Sequence, residues 1–463
     1  MGKYFGTDGF RGKSNQDLTV DHAFKIGRYL GFYYGKGSRI VIGKDTRRSS
    51  YMFECALTAG ITASGADAYL MHVTTTPSVS YITRIDDFDC GIMISASHNP
   101  YDDNGIKLMN SQGEKMNDDF VDDIERYLDG DLEGLSDSKG NVLHNLNELP
   151  LAKGADIGMA IDYASGRNRY IGYLISLVTH SYKDMRVGLD CANGSAWMIA
   201  KSVFDAVGAD TYVINNRPNG ENINLEAGST HIEYLQELVK KEKLDVGFAF
   251  DGDADRCLVV DENGDVVDGD GILYIYSKYM KRKDTLDKNT TVATIMSNYG
   301  FLKAMEEAEI NVEITQVGDR FVYEKMRDDG YVLGGEQSGH IIFAKYANTG
   351  DGVLTAIKVM QAMLSQKSTL TQLLEGFNKY PQLLKNIVVT DKDETLNDER
   401  VKAACKTVKK ALGNEGRVLL RKSGTEPVLR VMVEAITDEL CHEKVDYIIE
   451  EINKAGYLLE IKK

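Results

Sequence analysis

In the run Ile94-Ser-Ala-Ser-His-Asn-Pro100, an apolar stretch (residues 90–94) breaks into a polar turn that sets the hydroxyl of Ser97 beside the imidazole of His98. A serine is a poor nucleophile until a base accepts its proton or a cation stabilises its oxyanion, so Lys107 a little further on belongs to the same reading. The plainer alternative is a serine that caps the Asn99-Pro100 turn. The chain has no Gly-x-Ser-x-Gly elbow around this serine, which argues against an α/β-hydrolase nucleophile.

The second chemical feature is Asp251-Gly-Asp253-Ala-Asp255-Arg256. Alternate residues of an extended loop point the same way, so three carboxylates here can converge on one hard cation, Mg²⁺ being the natural candidate. Glu262 falls at the twelfth position of an EF-hand loop, but Arg256 occupies the position that needs glycine, and residues 246–250 and 257–260 read as strands, not helices. An acidic surface turn is the alternative.

Three further runs carry polar groups on glycine-rich turns. Arg421-Lys-Ser-Gly-Thr-Glu-Pro427 with Arg430 offers hydroxyls, backbone N–H groups and guanidinium forks, a set suited to a phosphate dianion. Gly334-Gly-Glu336-Gln-Ser338-Gly-His340 offers a carboxylate and a hydroxyl that could select a sugar by hydrogen bonding. Phe5-Gly-Thr-Asp-Gly-Phe-Arg11-Gly12 has the wrong spacing for a dinucleotide fingerprint and places Arg11 for a phosphate contact. A solvated hairpin or an ordinary Gly-rich turn is the competing reading for each.

These loops need strands to hold them. Residues 39–43, 65–69 and 89–95 read as strands with a helix from about Ser50, and residues 186–190, 208–212 and 245–251 repeat the outline. A shorter third copy covers residues 291–296, 311–315 and 331–334. Open α/β sheets bind ligands beyond the carboxyl ends of their strands, which is where the Ser97, Asp251 and Glu336 loops fall. From about residue 370 the pattern changes to strands near 386–390, 417–421 and 428–433 with helices over 398–412 and 438–454. The expected fold is α/β: three similar domains with mixed sheets flanked by helices, at 1–152, 153–255 and 256–370, plus an α+β domain at 371–463. Residues 129–150 have the composition of a connector.

At 463 residues, 43% of them hydrophobic, several domains are expected. A formal charge of −16 argues against a nucleic-acid or membrane partner, so an anionic ligand must be captured locally. Six scattered cysteines form no CxxC pair, and the first residues lack a signal-peptide core, so a cytoplasmic setting is expected.

A serine nucleophile, a three-carboxylate Mg²⁺ site, a sugar loop and a phosphate cradle suit phosphoryl transfer, in which catalysis is positioning and charge neutralisation. No Walker or kinase loop supplies ATP, so the donor would be a phosphoserine at Ser97, and an isomerising mutase follows. The runs Lys3-Tyr-Phe-Gly-Thr-Asp-Gly-Phe-Arg-Gly12, 94–100, Phe250-Asp-Gly-Asp-Ala-Asp-Arg-Cys257, Val317-Gly-Asp-Arg320 and Gly335-Glu-Gln-Ser-Gly-His340 resemble the α-D-phosphohexomutase superfamily over nearly the whole chain.

The resemblance implies four domains around a central cleft, Mg²⁺, and interconversion of glucosamine 6-phosphate and glucosamine 1-phosphate through a 1,6-bisphosphate, which also serves as activator, in amino-sugar and cell-wall precursor synthesis. It assigns phosphotransfer to Ser97, with His98, Lys107 and Arg11 as catalytic partners. Metal ligation falls to Asp251, Asp253, Asp255 and the phosphorylated Ser97, and substrate contacts to Arg256, Glu336, Ser338, Arg421, Ser423, Gly424, Thr425 and Arg430. A phosphogluco- or phosphomannomutase and a Mg²⁺-dependent sugar phosphatase stay open as rivals. The only partner called for is a small sugar phosphate, with a homodimer as one candidate assembly.

Overall fold

Cys90–Ile94 and Val246–Phe250 are buried at every position, the pattern of strands covered on both faces. Each lies at the centre of a sheet with common wiring. The structure, a computed structural model, describes residues 2–145, 147–422 and 428–462. The first sheet contains β1 (Phe5–Gly6), β2 (Gly9–Lys13), β3 (Arg39–Lys44), β4 (Asp67–Val73), β5 (Cys90–Ile94), β6 (Asp103–Asn110) and β7 (Ala160–Asp162), ordered β1-β2-β6-β5-β3-β4-β7. The second contains β8 (Arg186–Asp190), β9 (Asp210–Ile214), β10 (Val246–Phe250), β11 (Cys257–Val260) and β12 (Val266–Val267), and the third β13 (Thr290–Thr294), β14 (Asn311–Thr315), β15 (Leu333–Gly335) and β16 (Ile341–Phe343).

Within each sheet the first strand of the repeat pairs in parallel with the second and third, and a fourth returns antiparallel to the third: β4-β3-β5-β6, β9-β8-β10-β11 and β14-β13-β15-β16. The repeat is therefore threefold, its shorter third copy included. The turn from third to fourth strand holds residues 95–102, 251–256 and 336–340 respectively. The three candidate loops thus occupy one equivalent position in three copies.

Alternation along β3 and β5 fixes the first of these loops to a rigid support. Ile40, Ile42, Ile92 and Ile94 pack with Ile26 of the helix Val20–Tyr34 and with Phe53 and Leu57 of Arg48–Ala63. Val41 and Met93 turn to the other face, against Val79 and Ile82 of Thr76–Ile85. Each such side chain contributes roughly 1.5–3 kcal/mol on burial, so the strand end carrying Ser97 has little freedom to move.

The sheets depart from the boundaries expected of the sequence. β7 pairs with β4, so the first sheet runs past residue 152. β11 folds straight back on β10, Phe250 opposite Cys257, so the second runs past residue 255. Residues 129–150 are no free connector either: Leu132, Leu135 and Leu149 are buried in the first core, and Arg28 Nη2 donates to the Leu149 carbonyl at 2.5 Å.

The chain forms two compact units, Met1–Met296 with Ile310–Glu375, and Ser297–Glu309 with Gly376–Lys463. The second holds an antiparallel sheet of β17 (Gln382–Val389), β18 (Gly416–Lys422), β19 (Leu429–Ala435) and β20 (Leu458–Lys462), ordered β18-β19-β17-β20 and packed with the helices Glu399–Leu412 and Asp438–Lys454. It also takes the helix Tyr299–Glu307, whose start is tied down where Tyr299 N–H donates to Glu434 at 3.0 Å and Asn298 Nδ2 to the Tyr380 carbonyl at 3.0 Å. Among the described residues no helix is long and apolar enough to cross a membrane.

Candidate active site

Each of the three equivalent turns contains a left-handed residue: Ser97 at φ 51°, Ala254 at φ 56° and Gly339 at φ 91°. For a residue bearing a Cβ this conformation is unfavourable, so its neighbours must hold it. At Ser97 the support is dense. Its N–H donates to Ser95 Oγ at 2.9 Å, and its carbonyl accepts from Arg47 Nη2 and Asn224 Nδ2, both at 2.8 Å. Arg47, fully buried, also donates to the carbonyls of Asn99, Pro100 and Asp103 and pairs with Asp45 at 2.8 Å.

The Ser97 hydroxyl donates to Asp251 Oδ2 at 2.6 Å. Asp251, Asp253 and Asp255 are buried and present one oxygen each within 4.8 Å of one another. Burial, then the charges of Asp255 and Asp253, push the Asp251 carboxyl well above its usual range. Burial works the same way on Asp253, but Lys107 outweighs it and holds that carboxyl at about 2. Lys107 Nζ lies 2.8 Å from Asp253, 3.3 Å from Asp255 and 3.2 Å from Asp8. Burial disfavours its ammonium form; the three carboxylates outweigh that and raise its pKa well above normal.

Asp253 Oδ1 and Asp255 Oδ1 are buried and accept no hydrogen bond among the described residues. Orphaned carboxylate oxygens in a cluster of like charge fit a divalent cation with oxygen preference.

His98 carries no charge at neutral pH, because burial and then the cations of Arg256 and Arg11 lower its pKa to about 4. Its Nδ1 accepts from Arg256 Nη1 at 3.2 Å and lies 3.4 Å from Ser97 Oγ. Arg11, on β2, is paired with Asp8 in the β1–β2 turn. Arg11 Nε and Arg256 Nε are buried with no acceptor among the described residues. Two cationic donors without acceptors close to a serine hydroxyl and an acidic trio are suited to an incoming anion.

Sequence reasoning missed the ion chain behind these groups. Asp8 contacts Lys107 and, at 3.0 Å, Lys115, which in turn lies 2.7 Å from Asp319; Asp319 is 3.6 Å from His340 Nε2. Burial opposes the Asp8 charge, yet Lys107, Lys115 and Arg11 hold its carboxyl well below the usual range. A cavity of about 470 Å³ opens beside Asp8, Lys107, Lys115 and Arg320. The signal was in the runs 3–12 and 317–320, where acidic residues adjoin arginine, but nothing local says that they meet.

In the third turn, Glu336 Oε1 accepts from the Gly318 N–H at 3.0 Å; burial opposes the Arg256 charge, but Asp251, Asp255 and then Glu336 outweigh it and raise the Arg256 pKa, so this loop reaches the same group. Ser338 is exposed. In the second unit, Arg421 and Arg430 stand directly opposite on β18 and β19; burial and then Arg430 lower the Arg421 pKa. Ser423, Gly424 and Thr425 lie outside the described residues.

Residues 2–133, 168–264, 268–380 and 384–451 match, in order, the family models for phosphoglucomutase/phosphomannomutase alpha/beta/alpha domains I, II and III and the C-terminal domain. A curated phosphoglucosamine mutase from Lachnospira eligens is 61% identical over 462 residues, covering 99% of this chain and 100% of that one. The chain belongs to the phosphoglucosamine mutase family of the α-D-phosphohexomutase superfamily.

Solved structures of this superfamily share the fold. A phosphoglucomutase/phosphomannomutase family protein from Burkholderia thailandensis superposes with a TM-score of 0.77 at 21% identity, covering 98% of each chain. An N-acetylphosphoglucosamine mutase from Aspergillus fumigatus, in complex with GlcNAc-6P and magnesium, gives 0.68 at 17% identity over 98% of this chain and 96% of that one. Membership in a mutase family agrees with the paired layout found here, a hydroxyl and an acidic trio facing each other from two copies of one repeat.

Proposed function

We propose that the protein interconverts glucosamine 6-phosphate and glucosamine 1-phosphate, with Ser97 as the phosphoryl carrier. The observation that carries this reading is the 2.6 Å approach of Ser97 Oγ to Asp251, within a trio of carboxylates able to hold Mg²⁺. The bound ion would supply charge neutralisation at the phosphoryl oxygens. The chain's own residues do the rest.

In the forward direction the phosphoryl group on Ser97 passes to the O1 hydroxyl of glucosamine 6-phosphate, the Ser97 Oγ–P and sugar O–H bonds breaking as the O1–P and Oγ–H bonds form to give the 1,6-bisphosphate; after reorientation the O6–P bond breaks, that phosphoryl group returns to Ser97 Oγ and the serine proton passes to O6. Lys107, an ammonium wedged among carboxylates, is the acid–base candidate: it gives its proton to the departing oxygen and takes up the one that the attacking hydroxyl loses. Neutral His98 and the guanidinium groups of Arg256 and Arg11 steady the anion by hydrogen bonding. Glu336 and Ser338 select the sugar hydroxyls, and Arg421, Ser423, Gly424, Thr425 and Arg430 hold the phosphate that is not being transferred. The working division follows the sheets, with limits near residues 162 and 267 in place of 152 and 255. The product supplies amino-sugar precursors in the cytoplasm.

The test is a coupled assay with glucosamine 6-phosphate, Mg²⁺ and a trace of glucose 1,6-bisphosphate, run beside glucose and mannose phosphates. Preference for the amino sugar with no release of inorganic phosphate supports the reading. Phosphate release in step with turnover would make the protein a phosphatase, and equal rates on glucose phosphate would assign it to the phosphoglucomutase branch.

A further inference from the structure

Ser97 adopts a backbone conformation that serine avoids, and half of what holds its carbonyl comes from another repeat. Asn224, in the loop between β9 and β10, is 7% exposed, and its Nδ2 donates to the carbonyls of both Ser97 (2.8 Å) and Asn99 (3.1 Å). Both neighbours are acceptors, so the amide nitrogen must face them. Asn224 Oδ1 is left buried with no hydrogen-bond partner among the described residues. The side chain therefore forgoes a bond of its own to serve the serine loop.

The anchor behind it is firm. Asn224 has φ 58°, a value that asparagine tolerates better than most residues, its N–H donates to the Ala192 carbonyl at 2.9 Å, and neighbouring Ile223 is 2% exposed. Gly252 of the acidic loop lies against the same point: a Cβ there would stand 2.5 Å from the Ser97 carbonyl oxygen and 3.0 Å from Asn224 Nδ2. Ser97 O, Asn224 and the acidic loop thus form one three-way contact.

We propose that Asn224 is a positioning residue for phosphoryl transfer, registering the Ser97 hydroxyl against the acidic loop by clamping the carbonyls of Ser97 and Asn99. Arg47 supplies the matching clamp from the first repeat, and the two together fix the loop from opposite sides of the repeat boundary. The inference rests on the proposed mutase reading, and predicts a particular kinetic split. Losing the clamp misplaces the hydroxyl without touching the sugar, so kcat falls and KM does not.

The experiment compares wild type with Asn224→Asp and Asn224→Ala in the glucosamine 6-phosphate assay, with Leu225→Ala, at an exposed neighbouring position, as control. Amide hydrogen exchange of residues 95–103 is followed in parallel. Asn224→Asp sets a carboxylate against two carbonyl oxygens; if it does not fold, Asn224→Ala carries the comparison. The expected result is a kcat lower by about 10- to 100-fold with KM within about twofold, faster exchange confined to residues 95–103, and wild-type behaviour for Leu225→Ala. Unchanged kcat, or a rise in KM that accounts for the whole loss, overturns the proposal. If the wild type turns over no sugar phosphate the mutase reading fails instead, and unaltered exchange in residues 95–103 would still refute the clamp.

Discussion

Ser97 Oγ and Asp251 Oδ2, 154 positions apart in sequence, lie 2.6 Å apart in space. The two residues occupy equivalent turns of two copies of one repeat, each between the third and fourth strands. A duplicated scaffold has placed a hydroxyl in one copy and a carboxylate in the other, and their approach makes either useful for phosphoryl transfer.

The approach depends on Gly252. A methyl group there meets backbone at 2.5 Å, which no side-chain rotation relieves. Gly252→Ala is expected to lower kcat by about 100-fold or more through displacement of the acidic loop, while the far-ultraviolet circular dichroism stays that of the wild type. Near-normal kcat in steady-state assays would show that the two loops need not touch.

Lys107 offsets part of the charge of the acidic trio, and the orphaned oxygens of Asp253 and Asp255 are suited to a further cation. Saturating Mg²⁺ is expected to raise the melting temperature, by the equivalent of about 2.7 kcal/mol at a hundredfold excess over Kd. Asp253→Asn should reduce both this stabilisation and turnover, and chelation should abolish turnover reversibly. Calorimetry with and without Mg²⁺ checks it; identical melting curves would remove the metal from this site.

Arg421 and Arg430 stand directly opposite on β18 and β19, a pair of guanidinium groups suited to one phosphate dianion. Arg421→Ala is expected to raise KM for the sugar phosphate by about tenfold or more, as the loss of a charge-assisted contact implies. A lower melting temperature with unaltered KM would make Arg421 structural.

Lys358 is 1% exposed, with its ammonium 3.7 Å from the centre of the Tyr346 ring, and burial followed by the charge of Lys345 lowers its pKa to about 8. Between about pH 8 and the usual lysine value the unfolded chain binds the extra proton, so this group's contribution to stability rises with pH across that window. Lys358→Met is expected to be more stable than wild type near pH 7, and the gap should narrow by up to about 3 kcal/mol by pH 10.5. Denaturant titrations at the two pH values measure it; a constant gap would mean that Lys358 keeps the usual lysine pKa inside the fold.

What the sequence discloses is local. The apolar runs at 90–94 and 246–250 end in polar turns, and that contrast marks Ser97 and the acidic trio because burial on both faces demands continuous apolar strands. Helices over 398–412 and 438–454 are legible from their periodicity, and the structure begins and ends them within a residue of those limits. The fourth strand of the first repeat, β6, was hidden because its start, Asp103-Asn-Gly105, has the residues of a turn. Sheet limits were misplaced at 152 and 255 because β7 and β11 are added by pairing, which no local pattern encodes. Asp8, Lys115, Asp319, Arg47 and Asn224 were invisible as a group because their partners are distant in sequence: Asp8 meets Lys107, Arg47 holds carbonyls of residues 97–103, and Lys115 and Asn224 reach into another repeat.

The most direct measurement of the central claim follows a phosphoryl group. The protein is incubated with radiolabelled glucose 1,6-bisphosphate and Mg²⁺, digested and mapped, then chased with glucosamine 6-phosphate. The account predicts label on the peptide bearing Ser97, its discharge into sugar phosphate at the rate of turnover, and, for Ser97→Ala, no label and a loss of turnover of about 10⁴-fold or more. Label on any other residue, or substantial mutase activity in Ser97→Ala, would contradict it.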